Sequence, residues 1–350
     1  MLGRDARPVA IGVPIGDPNG IGPEVAVRAV LALKNRDYGV FLVGDSWVVR
    51  RAVSLVAEAG NVQVRVLAGP EDIPGDMVTA RGGVDVLDVV ALEVEELSPG
   101  TVSAKAGKAS LDYLNKALEL AMSGRIDGIA CAPANKEAMK LAGSPFNGQT
   151  ELVASAVGAR EAGTALVSGK FRVFQVTGHV SLRKACDMIT EERVLSNIRM
   201  ARKVLSEDFG IDDPLVAVCG LNPHSGDGGL LGNEEQDHII PAINKARAEG
   251  IRVDGPLPGD TAFLKVKREG HDGIVAMYHD QANAVLKFIS SEAVTVTTGL
   301  PIVRTTVGHG TAFDIAWKGV ADPGCMIGAI EVAAQLARVR KERGLRAVGR

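Results

Sequence analysis

Along the chain, short apolar runs rich in β-branched residues alternate with stretches whose apolar positions recur every three to four residues. The first kind predicts strands, the second helices. Strands are expected at 8–15, 40–43, 62–67, 127–131, 164–167, 171–176, 215–219, in the run ending at Met277, and at 293–298 and 302–306. Helices are expected from Pro23, over 47–59 and 103–123, after Glu151, from Glu191 onward, over 233–249 and over 324–339. The 103–123 helix places Leu111, Leu114, Leu118 and Ala121 on one face, and the helix from Glu191 does the same with Val194, Ile198, Ala201 and Leu205. The stretch 82–92 shows neither period clearly. Apolar strands alternating with amphipathic helices make this an α/β chain with a helix-covered parallel sheet. Its 350 residues exceed what one core usually organises, which points to two lobes.

Composition narrows the setting. Hydrophobic residues make up 46% and charged residues 23%, as in a soluble globular protein rather than a disordered chain. The four cysteines are scattered without CxxC spacing, so neither a zinc ribbon nor a disulfide framework is expected, and a reducing cytoplasm suits them. No stretch approaches the ~18 apolar residues of a membrane span, and 1–8 lack the apolar core of a signal peptide. The net charge is -3, and basic residues cluster only at Arg338, Arg340, Lys341, Arg343 and Arg346. Cations there complement a helix C-terminus, and no aromatic residue is interleaved, so no nucleic-acid partner is expected.

Candidate chemistry gathers where strands end. His179, His224 and His279 each follow an apolar strand, and three imidazoles at equivalent topological positions suit a divalent metal with positions left open for substrate. Ser225 to Gly229, just past His224, reads as a flexible loop. His238 and His271 receive no role. Asp280 and Asp260 are the candidates for proton transfer, and Lys287 with Arg304 could clamp a phosphate or carboxylate. Asn135 and Lys136, beyond the strand at 127–131, are further candidates; a helix start with solvated charges is the alternative. The glycine-rich turn Gly16-Asp17-Pro18-Asn19-Gly20-Ile21-Gly22-Pro23-Glu24 could hold an anion at a helix start or serve as a structural turn, and it is neither GxGxxG nor a P-loop. Three histidines alone also fit a cofactor-free metallohydrolase.

Several motifs in order resemble the 4-hydroxythreonine-4-phosphate dehydrogenase family: the turn 16–24, Leu221-Asn222-Pro223-His224, Gly255-Pro256-Leu257-Pro258, Met277-Tyr278-His279-Asp280-Gln281 and Gly299-Leu300-Pro301. The resemblance covers nearly the whole chain. It implies an isocitrate/isopropylmalate dehydrogenase-like fold with two α/β lobes around a central cleft, here 1–134 plus 305–350 with the cofactor loop, and 135–304 with the metal residues, substrate residues and dimer contacts. It further implies a homodimer with shared active sites, one divalent ion (Zn, Mg, Mn or Co) on His179, His224 and His279, and NAD or NADP at the loop His309-Gly310-Thr311-Ala312. Gln149, Thr150, Lys287, Thr295 and Arg304 fall at substrate positions. The implied reaction is oxidation of a secondary alcohol to a β-keto acid that loses carbon dioxide.

At the substrate end the chain departs from the family. Gln149 stands where His is usual, Thr295 where Asn is usual and Gly308 where Asp is frequent. The alternatives implied are a D-threonate or D-erythronate 4-phosphate dehydrogenase and a cis-dihydrodiol carboxylate dehydrogenase. A non-catalytic metabolite-binding relative is the reading from another class.

Overall fold

The structure, a computed structural model, describes residues 8–33, 36–56, 62–73, 83–159, 162–289 and 292–345. The tail of the expected 47–59 helix beyond Val56, residue 82 and Arg346 lie outside these. In chain order come β1 (Ala10–Pro14), α1 (Gly22–Ala32), β2 (Gly39–Gly44), α2 (Ser46–Val56), β3 (Val64–Leu67), β4 (Val84–Asp88), α3 (Ala104–Met122), β5 (Gly128–Cys131), α4 (Lys136–Leu141) and α5 (Gln149–Ala156). They are followed by β6 (Gly163–Ser168), β7 (Phe171–Gln175), α6 (Leu182–Asp187), α7 (Glu191–Glu207), β8 (Val216–Cys219), α8 (Ile240–Ala248), β9 (Val253–Leu257), α9 (Gly259–Glu269), β10 (Gly273–Ala276) and α10 (His279–Ile289). The last elements are β11 (Val294–Thr298), β12 (Val303–Val307) and α11 (Gly324–Glu342).

Two compact units result, one from the residues up to Ala162 together with those from Leu300, the other Gly163–Gly299. In the first, parallel strands run in the order β3-β4-β2-β1-β5-β12. Every residue of β1, β2 and β5 is buried, which is why these strands read as continuous apolar runs rather than alternating ones. Ser103 caps α3 by accepting from Ala106 N–H, and the predicted leucine face packs against Phe41, Val43, Leu87 and Ile129. Met139, Leu152 and Val153 join the same cluster, so α4 and α5 belong to this unit. The division therefore falls after Ala162 and Gly299 rather than at the expected 134 and 304.

In the second unit the order is β11-β6-β7-β10-β8-β9. β6 pairs antiparallel with both β11 and β7, whereas β7, β10 and β8 are adjacent and parallel. The predicted stripe of α7 is buried, and Thr190 caps it through Arg193 N–H. The expected 233–249 helix opens instead as a π turn, Glu235–Ile239, before α8. Pro241 explains the break: it has no N–H to donate, and its ring crowds the carbonyl one turn earlier.

Candidate active site

Because β7, β10 and β8 are parallel neighbours, their carboxyl ends lie along one edge of the second unit, and each leads to one of the three histidines. Met277 carbonyl accepts from both the N–H and the hydroxyl of Thr177 at 3.2 and 2.9 Å, tying the end of β7 to the end of β10. Gln281 ties β10 to β8: its Oε1 accepts from Met277 N–H at 2.6 Å and its Nε2 donates to Gly220 O at 2.9 Å. The rings of His179 and His279 stand 5.1 Å apart, centroid to centroid. His224 follows on the neighbouring strand end.

Two of these imidazoles are oriented by carboxylates. Asp227 Oδ2 lies 3.1 Å from His224 Nδ1, and Asp280 Oδ1 lies 2.9 Å from His279 Nδ1. With Nδ1 facing an acceptor, Nε2 is the nitrogen left for a ligand, as is usual for metal-binding histidines. Asp280 thus stands against the His279 ring, where a carboxylate can orient the imidazole, and its side chain is 82% exposed. Asp260 is exposed in the first turn of α9. Lys287 is exposed on α10, the helix that His279 opens, about 12 Å along its axis from that residue at 1.5 Å per residue. Thr295 is half-buried on β11 opposite Leu166.

The stretch 225–229 is not the loose loop its composition suggests. His224 to Gly228 all take left-handed dihedrals, and the turn is closed by Ser225 N–H to Asn222 O and Leu231 N–H to Gly226 O, both at 3.1 Å.

Among the described residues, the three metal-ligand-type side chains whose ligand atoms lie within 4.8 Å of one another are Asp254, Glu269 and His271, not the three histidines. That cluster already contains a cation. Lys265 Nζ is 2.7 Å from Asp254 Oδ2 and 3.7 Å from Glu269 Oε2. Burial pushes the Asp254 carboxyl up, but hydrogen bonds from Lys265 and His271 outweigh it and hold the group below its ordinary value. His271 precedes β10, at the opposite end of the strand from the three histidines.

The remaining candidates belong to the first unit. Arg304, on β12, is 1% exposed, and its Nη atoms reach Thr150 Oγ1 at 3.1 Å and Gln149 Oε1 at 3.0 Å. A guanidinium only donates, so both oxygens must act as acceptors toward it. This leaves the Gln149 amide N–H groups and the Thr150 hydroxyl proton to be presented as donors from the first turn of α5. Asn135 caps α4 by accepting from Ala138 N–H at 2.8 Å, and Lys136 is exposed, which is the helix-start alternative.

The 16–24 turn works inward. Gly16 takes φ +75°, and a Cβ there would meet Pro133 O at 2.2 Å. The N–H groups of Asp17, Asn19, Gly20 and Ile21 are taken by Pro133 O, Asp17 Oδ1, Asp17 O and Thr311 O at 2.9–3.0 Å, so they do not form an anion cradle. Glu24, fully buried, accepts from the N–H groups of Trp317 and Gly319, while Trp317 Nε1 donates to Pro18 O at 2.8 Å. These contacts fix the segment containing His309, Gly310, Thr311 and Ala312, including Trp317 at the strained φ of 60°. Burial raises the Asp17 carboxyl to about 6, against the opposing N–H groups of Asn19 and Asn135.

A family model described as pyridoxal phosphate biosynthetic protein PdxA matches residues 37–333. The chain belongs to this family. It is 40% identical over 342 residues to a 4-hydroxythreonine-4-phosphate dehydrogenase of Desulforapulum autotrophicum, covering 96% of this chain and 97% of that one. It is 42% identical over 333 residues to an Oceanobacillus iheyensis protein provisionally named a D-threonate 4-phosphate dehydrogenase, covering 93% and 97%. A crystal structure of 4-hydroxythreonine-4-phosphate dehydrogenase from Klebsiella pneumoniae matches with a TM-score of 0.86 at 37% identity, covering 95% of this chain and 99% of that one. The α/β fold is thus that of the PdxA family, and the chain is of the dehydrogenase class.

Three residues that hold this edge are given no role by the sequence pattern: Asp227, Gln281 and Glu235, the last by accepting from Leu221 and Asn222 N–H. Gln281 carried a signal, because it ends the apolar run that delivers His279. Glu235, 1% exposed, carried none, since nothing in a charged helical stretch marks one carboxylate as buried.

Proposed function

We propose that the protein is a soluble, cytoplasmic, homodimeric dehydrogenase that uses NAD or NADP and a divalent ion to oxidise and decarboxylate a small phosphorylated hydroxy acid. The observation that carries this reading is the placement of His179, His224 and His279 at the ends of three adjacent parallel strands, two of them with Nδ1 against a carboxylate. Neutral imidazole nitrogens suit Zn, Co or Mn, and they would hold the ion through Nε2 of His224 and His279. When bound, the ion supplies Lewis-acid polarisation of the substrate oxygen, and the nicotinamide supplies the hydride acceptor.

In the balanced reaction, the alcohol carbon gives a hydride to NAD(P)+ and its hydroxyl gives a proton to solvent. The β-carboxylate of the resulting keto acid then leaves as carbon dioxide, and the carbon that held it takes up a proton. Gln149 and Thr150 bear on which acid is used. The Gln149 N–H groups suit a hydroxyl, carboxylate or phosphate oxygen and oppose an ammonium group, which also only donates, while the Thr150 hydroxyl keeps a lone pair and can serve either. We therefore favour a 2,3-dihydroxy acid 4-phosphate of the threonate or erythronate type, oxidised at C3, over 4-hydroxythreonine 4-phosphate. A second copy of the chain is supported by exposed apolar side chains of the second unit, Phe288 at 92% and Leu230 at 86%.

The test is a panel of 4-phosphorylated hydroxy acids with each nucleotide and each of Zn, Mg, Mn and Co. Reduced cofactor and carbon dioxide are expected, with a higher kcat/KM for threonate or erythronate 4-phosphate than for 4-hydroxythreonine 4-phosphate. Absence of reduced cofactor with every member would refute the reading.

A further inference from the structure

His224 sits in a backbone conformation that its residue type does not favour. From His224 to Gly228, φ is 52, 55, 84, 42 and 67°. Three of these residues carry a Cβ, which in the left-handed conformation crowds the following carbonyl oxygen. Such a run persists only where its surroundings over-determine it.

The determining group is Glu235. One of its oxygens accepts from the N–H groups of both Leu221 and Asn222 at 2.7 Å, and the other accepts from Asn222 Nδ2 at 2.9 Å. The main-chain donors belong to residues between the end of β8 and Pro223, so the carboxylate acts on the chain immediately before His224. The turn also folds over it: Gly226 has φ +84°, and a Cβ there would lie 2.7 Å from Glu235 Oε2. Glu235 is delivered by the π turn ahead of Pro241, and widened turns of this kind recur at functional sites.

We propose that Glu235 is a positioning residue of the metal site. Its buried carboxylate anchors Leu221 and Asn222, forces the following segment into its left-handed turn, and so presents His224 Nε2 as a ligand. This rests on the reading of His224 as a metal ligand and adds a residue that the histidine pattern does not identify. A glutamine at 235 keeps an oxygen for the two main-chain N–H groups but sets its amide donor against Asn222 Nδ2. That nitrogen cannot simply turn away, because it also donates to Glu234 Oε2 at 2.6 Å. Alanine removes all three bonds.

The experiment measures Co(II) affinity by chelator competition, and the visible spectrum of the Co(II)-loaded protein, for wild type, Glu235→Gln, Glu235→Ala and His224→Ala. Affinity is expected to fall about tenfold in Glu235→Gln and towards a hundredfold in Glu235→Ala, the range for groups that orient metal ligands. The Glu235→Ala spectrum is expected to move to that of His224→Ala, because the same ligand is lost. Glu235→Gln is nearly isosteric and decides the matter if the alanine variant does not fold. If Glu235→Gln stays within about twofold of wild type with an unchanged spectrum while His224→Ala loses binding, the role of Glu235 is overturned and the metal reading stands. If His224→Ala binds Co(II) like wild type, both are overturned.

Discussion

Asp17 makes the stability of the first unit depend on pH in a direction opposite to that of a paired carboxylate. It is fully buried, and Oδ2 has no hydrogen-bond partner among the described residues. Burial lifts its pKa from 3.8 to about 6, so the native state holds this proton more tightly than the unfolded chain does. The contribution is fully present below the unfolded value, decays as pH rises through about 6 and is absent above it. The full shift of about two units corresponds to about 3 kcal/mol, of which about 2 kcal/mol falls between about pH 7.5 and about pH 4.5. Asp17→Asn retains an oxygen for Asn19 N–H, bonded at 2.9 Å, and cannot titrate. Denaturant unfolding of both proteins across that range, followed by tryptophan fluorescence, isolates the effect, since Trp47 and Trp317 both lie in the first unit. Wild type should gain about 2 kcal/mol relative to Asp17→Asn on going from about pH 7.5 to about pH 4.5. A difference flat to within about 0.5 kcal/mol would mean that Asp17 reaches water, or a donor beyond Asn19 and Asn135, in the native state.

Gln149→His replaces an amide that always keeps its N–H donors with an imidazole that, once turned away from Arg304, can offer its lone pair to an ammonium. The ratio of kcat/KM for 4-hydroxythreonine 4-phosphate to that for threonate 4-phosphate should rise by about tenfold, the scale of one hydrogen bond, and an unchanged ratio would remove position 149 from specificity. Glu24→Ala strips the acceptor from the N–H groups of Trp317 and Gly319 and should destabilise the first unit by about 3 kcal/mol. It should also raise KM for the nucleotide more than for the acid. Equal changes in both KM values would argue against a nucleotide role for the segment from His309 to Ala312.

The parts of the fold that were legible share one property: their burial is written in consecutive or periodic apolar residues. β1, β2, β5 and β10 are buried along their whole length, and the faces of α3 and α7 follow a helical period. α9 shows no clear helical period, because it buries only Ala262, Phe263 and Val266 among charged neighbours. α6, capped by Ser181, has only six residues, too few to show a helical apolar period. The left-handed turn at His224 was illegible for another reason. Gly226, Gly228 and Gly229 signal freedom of φ, but the choice among conformations is made by Glu235, a residue outside the turn. The boundary after Ala162 has no compositional mark either; it follows from Leu152 and Val153 choosing the first unit's core.

Charged residues show the limit most clearly, because their types are equally suited to chemistry and to support. Asp280 was a candidate proton carrier by proximity to His279, yet its oxygen faces Nδ1 of that histidine; Asp227 does the same for His224. Glu235 and Glu24 bind main-chain N–H groups, and Arg304 orients Gln149 and Thr150. Where the partner is a side chain that can do either, the charge fixes its identity: a carboxylate makes the facing imidazole nitrogen a donor, and a guanidinium makes the facing oxygen an acceptor. The polarity of the imidazoles in the second unit, and of the Gln149–Thr150 pair in the first, is therefore set by the charged residues behind them. Substitutions at these supporting positions should move metal affinity or substrate preference without altering any group that touches the reacting atoms, and this separates them from Asp260, whose exposed carboxyl has no such neighbour to hold among the described contacts.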